Sequence, residues 1–309
     1  ALNPLDRDLT THELIDAAAA SDVIVAHRST PAPAALFEAL PDLVAFLRCA
    51  VDISTIDQAA ADEHGVLIAR ADKSFVPSTA ELALGLLIDC ARNISASSAD
   101  YHLDREPPQR NGRQLRGQTA GIIGFGAIGS YLADLLAAIG MRVLVHDPYV
   151  DAWPSFVEPT TLGDLLAGSD AVFPLAPGGA ATTGLIGAAE LAAMKPGAIL
   201  INVSRGEVLD EPAVASALDS GRLGGLGIDV GSGADQRPAA TLASKPRVVA
   251  TPHLGGLTPE NADAQAASAV EQVAAMIAGT MPPRAVNPDD ARRLRDHWRG
   301  ASTDQENPA

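Results

Sequence analysis

Short apolar runs alternate with longer stretches of helical periodicity along most of this 309-residue chain. That rhythm predicts a parallel α/β sheet, because parallel strands need a crossover, usually a helix, between them. Val23–Ala26, Leu43–Leu47 and Val66–Ala69 read as strands, with helical segments at Thr11–Ala20, Ala34–Ala39 and Asp57–His64. Pro77–Asn93 places Ala80, Leu82, Ala83, Leu86, Leu87 and Cys90 on one apolar side, which predicts a long helix between two domains. Asp100–Arg116 is polar and contains Pro107-Pro108, so a connecting loop is expected there. A second series of strands is predicted at Ala120–Ile123, Arg142–Val145, Ala171–Leu175, Ile199–Val203, Leu226–Val230 and Val248–Ala250. A final helix, about Pro259–Ala278, is expected to return the chain to the first domain. The charged tail from Asp290, with Trp298 in it, is expected to be partly disordered or to meet a partner subunit. The strand expected before Thr11–Ala20 is missing from the pattern, so either the chain is shortened there or Ala1–Leu5 serves as that strand.

The start of the second series narrows the function. Gly124, Gly126 and Gly129 follow the strand-like Ala120–Ile123 with the spacing G-x-G-x-x-G, and Ala127 and Ile128 lead into the helix-like Ser130–Ile139. The next strand, Arg142–Val145, ends in Asp147, 18 residues beyond Gly129. Each part has a physical task in binding a dinucleotide. The first glycine permits a tight turn, the second lets backbone approach a pyrophosphate, and the third lets helix and strand pack closely. The helix N-terminus offers free N–H groups to phosphate. Asp147 would accept from the ribose hydroxyls and repel a 2′-phosphate, which favours NAD over NADP.

Composition sets the boundaries. The length predicts about two domains. A formal charge of −16 argues against nucleic acid and anionic membranes as partners. No apolar run approaches the roughly 20 residues of a spanning helix and no signal peptide opens the chain, so a cytoplasmic protein is expected. Cys49 and Cys90 lie in apolar contexts and read as reduced core thiols. No zinc-type ligand spacing and no Gly-x-Ser-x-Gly triad arrangement is present, so no metal is expected.

Three later segments place polar residues at the carboxyl ends of apolar strands, the edge where doubly wound sheets bind ligands. They deliver Arg205, Asp229 and His253. An arginine can grip a carboxylate and carbonyl, and a histidine can move a proton while a cofactor moves a hydride. With Gly124–Gly129 and Asp147, the pieces Asp170–Gly187 (DAVFPLAPGGAATTGLIG), Ile201–Gly206 (INVSRG), Gly227–Val230 (GIDV) and Thr251–Gly256 (TPHLGG) make the chain resemble the D-isomer-specific 2-hydroxyacid dehydrogenases over nearly its whole length. The resemblance implies two doubly wound parallel-sheet domains with a cleft between them. One is a Rossmann NAD domain at residues 91–274, and the other a smaller, flavodoxin-like substrate domain at 1–90, completed by about 275–309. It implies NAD(H)-dependent interconversion of a 2-oxo acid and a D-2-hydroxy acid, a small-molecule substrate, and a homodimer. By the same resemblance Arg205 would bind the substrate carboxylate, His253 would be the general acid or base, and Asp229 would hold the nicotinamide carboxamide. Val203 and Ser204 would line the nicotinamide site, with Pro177, Thr182 and Gly255 along the cofactor.

Two departures from the family pattern stand out. The family's glutamate, which favours the charged imidazolium and fixes the ring, is replaced by Ala234. Asp235, one residue along, is the candidate substitute, with Gln236 or water, or an impaired site, as the alternatives. The usual glycine-rich substrate loop carries Ala50, Val51 and Asp52 instead, and the next loop presents Lys73, Ser74 and Phe75. These six residues are the candidate substrate contacts, and they point away from the smallest 2-oxo acids. Ala234 and Asp52 also leave open a non-catalytic NAD-binding regulator of the corepressor kind, or a dehydrogenase for a carboxylate-free substrate.

Overall fold

Strands that are apolar along most of their length belong to sheets covered on both faces, and the central strands of both sheets, such as Ala45–Arg48, Thr119–Ile123 and Ala198–Asn202, are buried at every position. The computed structural model describes residues 2–5, 7–233 and 236–305. The chain divides into two units, Ala1–Ser74 with Pro259–Ala309, and Phe75–Thr258.

In the smaller unit β1 (Val23–Ala26), β2 (Ala45–Arg48) and β3 (Leu67–Arg70) run parallel in chain order. Ile24, Phe46 and Ile68 face Leu36, Phe37 and Ala61 from the helices Ala34–Ala39 and Gln58–His64. Ala45, Leu47, Leu67 and Ala69 face the opposite way, toward Met276 and Leu294. Those two residues belong to the helices Pro259–Ile277 and Arg292–Gln305. The first helix, Thr11–Ala18, begins with a capping box in which Thr10 and Glu13 satisfy each other's backbone N–H groups. Leu2–Leu5 form no strand. Within the charged tail Arg292–Gln305 is a helix, with its Leu294 and the preceding Ala291 buried. Trp298 donates its indole N–H to the Met276 carbonyl at 2.8 Å.

Among the described residues the larger unit has seven parallel strands: β4 (Thr119–Ile123), β5 (Arg142–His146), β6 (Val157–Pro159), β7 (Ala171–Pro174), β8 (Ala198–Asn202), β9 (Leu223–Ile228) and β10 (Val248–Ala250). Their order is β10-β9-β8-β7-β4-β5-β6, so the direction of winding reverses between β4 and β7. That reversal opens the crevice where this architecture binds ligands. Alternate residues serve opposite layers. Ile122, Val143, Val145, Ile199 and Ile201 pack under the helices Val76–Arg92 and Ala127–Ala138, whereas Leu144, Val172, Leu200 and Leu226 pack against the other side.

The unit boundaries are displaced from the positions near 90 and 274 that the sequence suggests. Ala80, Ala83, Leu86, Leu87 and Ala91 of the Val76–Arg92 helix share one core with β4, β5 and β8, which assigns that helix wholly to the larger unit. Part of the expected loop Asp100–Arg116 is also helical. Asn93 closes the long helix in the left-handed region (φ 56°), and a second helix, Ile94–His102, starts directly after it.

Candidate active site

The turn after β4 forms a cradle. Gly124 has φ 99°, and a side chain there would also strike the Ala176 backbone nitrogen at 2.9 Å. A Cβ on Gly129 would lie 2.2 Å from the Gly124 carbonyl oxygen, so helix and turn can only pack this closely without one. At Gly126 the opposite holds: nothing lies within 4 Å of the equivalent point. Gly126 is the N-cap of the helix Ala127–Ala138, and no side-chain hydrogen bond caps the first turn, to which Ala127 and Ile128 belong. The space beside Gly126, the helix dipole and the first-turn N–H groups together fit a pyrophosphate. Asp147 follows β5 and accepts from the backbone N–H groups of Phe125 (2.7 Å) and Tyr149 (2.9 Å). Its carboxylate is thereby fixed against the glycine turn. The Phe125 ring packs against Trp153, with centroids 5.4 Å apart.

The loop after β7 carries Pro177 and Thr182, joined by a 2.6 Å hydrogen bond from the Thr182 hydroxyl to the Pro177 carbonyl. A Cβ on Gly178 would come within 2.8 Å of the Arg205 Cγ, so this loop lies against the arginine. Arg205 leaves β8 through a tight polar turn. Buried Asn202 accepts from the Ser204 N–H and hydroxyl (both 3.0 Å) and donates to the Arg205 carbonyl (2.8 Å). The same Ser204 hydroxyl proton is shared with the Pro174 carbonyl, 2.8 Å away, which ties β8 to β7, and Val203 is buried in the core. The Arg205 guanidinium donates to the Ser204 carbonyl at 2.8 Å. Asn202 was not singled out from the sequence; an asparagine at a strand end, able to cap a turn with its own amide, was the available signal.

Asp229 follows β9 and is 1 % exposed. One carboxylate oxygen accepts from the Thr251 hydroxyl and the Leu254 N–H, both at 2.7 Å, and the other from the Gly255 N–H at 2.8 Å. All three donors belong to the loop after β10 that carries His253. His253 itself adopts φ 62°, a conformation unusual outside glycine, and donates its N–H to the Thr251 carbonyl at 3.0 Å. A Cβ on Gly255 would meet Asp229 at 3.1 Å and Thr79 at 3.3 Å, so Gly255 admits the carboxylate and the helix start together. Arg205, Asp229 and His253 thus stand at the carboxyl ends of β8, β9 and β10, three neighbouring strands. A cation, a carboxylate-anchored loop and an imidazole on one edge can hold an anion and move a proton. Asp235 lies outside the described residues.

The remaining candidates belong to other parts of the chain. Ala50, Val51, Asp52, Lys73 and Ser74 are in the smaller unit, and Phe75 begins the larger one. Asp52 accepts the Ser54 N–H at 2.8 Å and is exposed. Ser74 donates to Asn261 at 2.7 Å, Asp72 accepts from Arg284, and Lys73 is exposed. Burial raises the Cys49 thiol, and burial, helped by Asp89, pushes Cys90 up to about 12, so neither is poised as a nucleophile. Among the described residues no group of three or more His, Cys, Asp or Glu side chains is placed to hold a metal.

A doubly wound parallel sheet with a glycine cradle at its switch point defines a dinucleotide-binding α/β protein. A family model described as D-isomer specific 2-hydroxyacid dehydrogenase, NAD binding domain, matches residues 84–255. The chain is 35% identical over 288 residues to D-3-phosphoglycerate dehydrogenase of Mycobacterium tuberculosis, covering 91% of this chain and 53% of that protein. It is 33% identical over 245 residues to hydroxypyruvate reductase of Thermotoga maritima, covering 77% and 79% of the two chains. The solved structure of D-2-hydroxyisocaproate dehydrogenase superposes with a TM-score of 0.84 at 25% identity, covering 91% of each chain. The chain belongs to the D-isomer specific 2-hydroxyacid dehydrogenase family, and its larger unit is an NAD binding domain. It spans about half the length of the D-3-phosphoglycerate dehydrogenases it matches. No helix among the described residues is long and apolar enough to cross a membrane.

Proposed function

We propose that the protein interconverts a 2-oxo acid and a D-2-hydroxy acid with NAD(H). The observation that carries this reading is the convergence of Arg205, Asp229 and His253 on neighbouring strand ends of the sheet that also bears the glycine cradle. NAD supplies or takes the hydride. Gly124, Gly126 and Gly129 seat its pyrophosphate with the Ala127 and Ile128 N–H groups, and Asp147 accepts from its ribose hydroxyls. Val203, Ser204, Pro177 and Thr182 border the rest of the cofactor. Arg205 pairs with the substrate carboxylate as a planar, permanently charged fork. His253 gives a proton to the carbonyl oxygen in reduction and takes it back in oxidation. Asp52 and Lys73 are the candidates for substrate selectivity. The working form is a cytoplasmic homodimer.

The test is NADH oxidation followed at 340 nm with 2-oxo acids from glyoxylate to phenylpyruvate, for the wild type, His253→Ala and Arg205→Ala. The reading expects turnover of at least one acid, loss of turnover in His253→Ala, and a raised KM in Arg205→Ala. NADH binding without turnover of any member would overturn it. A dehydrogenase for a carboxylate-free substrate is the second reading, favoured by one observation: the exposed Asp52 carboxylate on a candidate substrate loop. It expects Arg205→Ala to leave KM unchanged.

A further inference from the structure

The family resemblance gives Asp229 to the cofactor; in this structure its carboxylate also serves the protein's own backbone. Three hydrogen bonds of 2.7–2.8 Å bind it to Thr251, Leu254 and Gly255, and it is 1 % exposed. Leu254 and Gly255 present successive backbone N–H groups, the arrangement known to form an anion-binding nest. Here the anion in the nest is a side chain of the protein. The residue just before the nest is His253, held at φ 62°. Such a conformation persists only where its surroundings over-determine it. A set of hydrogen bonds over-determines it: Thr251 on one side and Leu254 with Gly255 on the other are fastened to one buried carboxylate, and the His253 N–H closes back on Thr251.

We infer that Asp229 and Thr251 are positioning residues that lock the His253 loop, with Asp229 as the buried anion of a three-donor clamp and Thr251 as its side-chain leg. This rests on the reading that His253 moves the proton. The clamp needs a carboxylate and a glycine. An amide at 229 sets N–H against N–H at one of its legs, and a side chain at 255 strikes the carboxylate. The role differs from cofactor binding in what it controls. A clamp sets how often the imidazole is in place, which acts on kcat at saturating cofactor, whereas a carboxamide contact acts on NADH affinity.

Thr251 separates the two, because its hydroxyl is spent on Asp229. Thr251→Val, which keeps shape and removes the donor, should lower kcat about tenfold or more while leaving the NADH Kd within about twofold, since a hydrogen bond to an ionised group is lost. Thr251→Ser should restore kcat to near the wild-type value. Hydrogen exchange supplies a readout independent of turnover. The Leu254 and Gly255 amides should be slow to exchange in the wild type and at least about tenfold faster in Thr251→Val and Asp229→Asn. Wild-type kcat in Thr251→Val, or a loss of NADH affinity with kcat intact, would overturn the clamp, as would fast exchange at both amides in the wild type. If the wild type reduces no 2-oxo acid, the proposed activity fails, and the exchange rates alone decide the clamp.

Discussion

Gly206→Ala is the substitution whose cost the structure states most sharply. Gly206 follows Arg205, and Gly231 lies two residues beyond Asp229, so the two glycines join the loops after β8 and β9. A Cβ on Gly206 would lie 2.1 Å from the Gly231 carbonyl carbon, 2.4 Å from its oxygen and 2.6 Å from its Cα. All three are backbone atoms, so no rotamer change relieves the clash. Ordinary contact begins near 3.4 Å, so the loops must part by roughly 1 Å, an overpacking strain of about 1–3 kcal/mol. For a unit of this size each kcal/mol lowers Tm by about 2–4 °C. A displacement of that order between Arg205 and the Asp229–His253 side of the site is worth about 100-fold in rate when the groups must act together. Calorimetry gives the first quantity and NADH oxidation with a turned-over 2-oxo acid gives kcat/KM. Gly163→Ala, whose added Cβ meets nothing within 4 Å, is the control and should keep both near wild type. A Gly206→Ala enzyme with unchanged Tm and kcat/KM would refute the claim that this close approach registers the two halves of the site.

Gly126→Ala should fold with wild-type Tm, because its Cβ enters open space at φ −76°, yet should weaken NADH binding by about tenfold or more in a fluorescence titration, since that space is where the pyrophosphate fits. Leu87→Ala, at a fully buried position of the Val76–Arg92 helix, should cost about 2–5 kcal/mol in urea unfolding of the larger unit. A loss under about 1 kcal/mol would mean that the helix is not part of that core. Cys90 should resist thiol reagents in the native protein at pH 8. Its folded thiol holds its proton up to about 12, whereas the unfolded thiol ionises near 9, so the native state binds more protons in that window and stability falls as pH rises through it. Cys90→Ala should flatten that fall in urea midpoints measured between pH 9 and 11; equal slopes in the two proteins would contradict it.

Most strands were legible because burial on both faces makes them continuously apolar. β6 leaves no apolar run because Val157 is its single buried residue, and β9 begins before its apolar pattern does because Gly224 and Gly225 mask its start. Gly224 is there for a close approach: its Cβ would lie 2.2 Å from the Gly197 carbonyl oxygen. The Ile94–His102 helix buries no side chain, so no periodicity announces it. The C-terminal helix hides its anchors Leu294 and Trp298 among charges. In the site, strand ends plus residue chemistry located Arg205, Asp229 and His253. Their mutual arrangement was not legible. It depends on backbone that no residue type encodes alone: a histidine at φ 62°, a glycine admitting a carboxylate, and an asparagine bracing the Arg205 turn.

The product itself tests the central claim most directly. The wild type, NADH and the best-reduced 2-oxo acid are incubated to completion, and the organic acid is resolved by chiral chromatography. One 2-hydroxy acid of D configuration should form for each NADH consumed, and none with His253→Ala. An L or racemic product, or NADH consumed without any 2-hydroxy acid, would contradict the assignment of Arg205 and His253 to this chemistry.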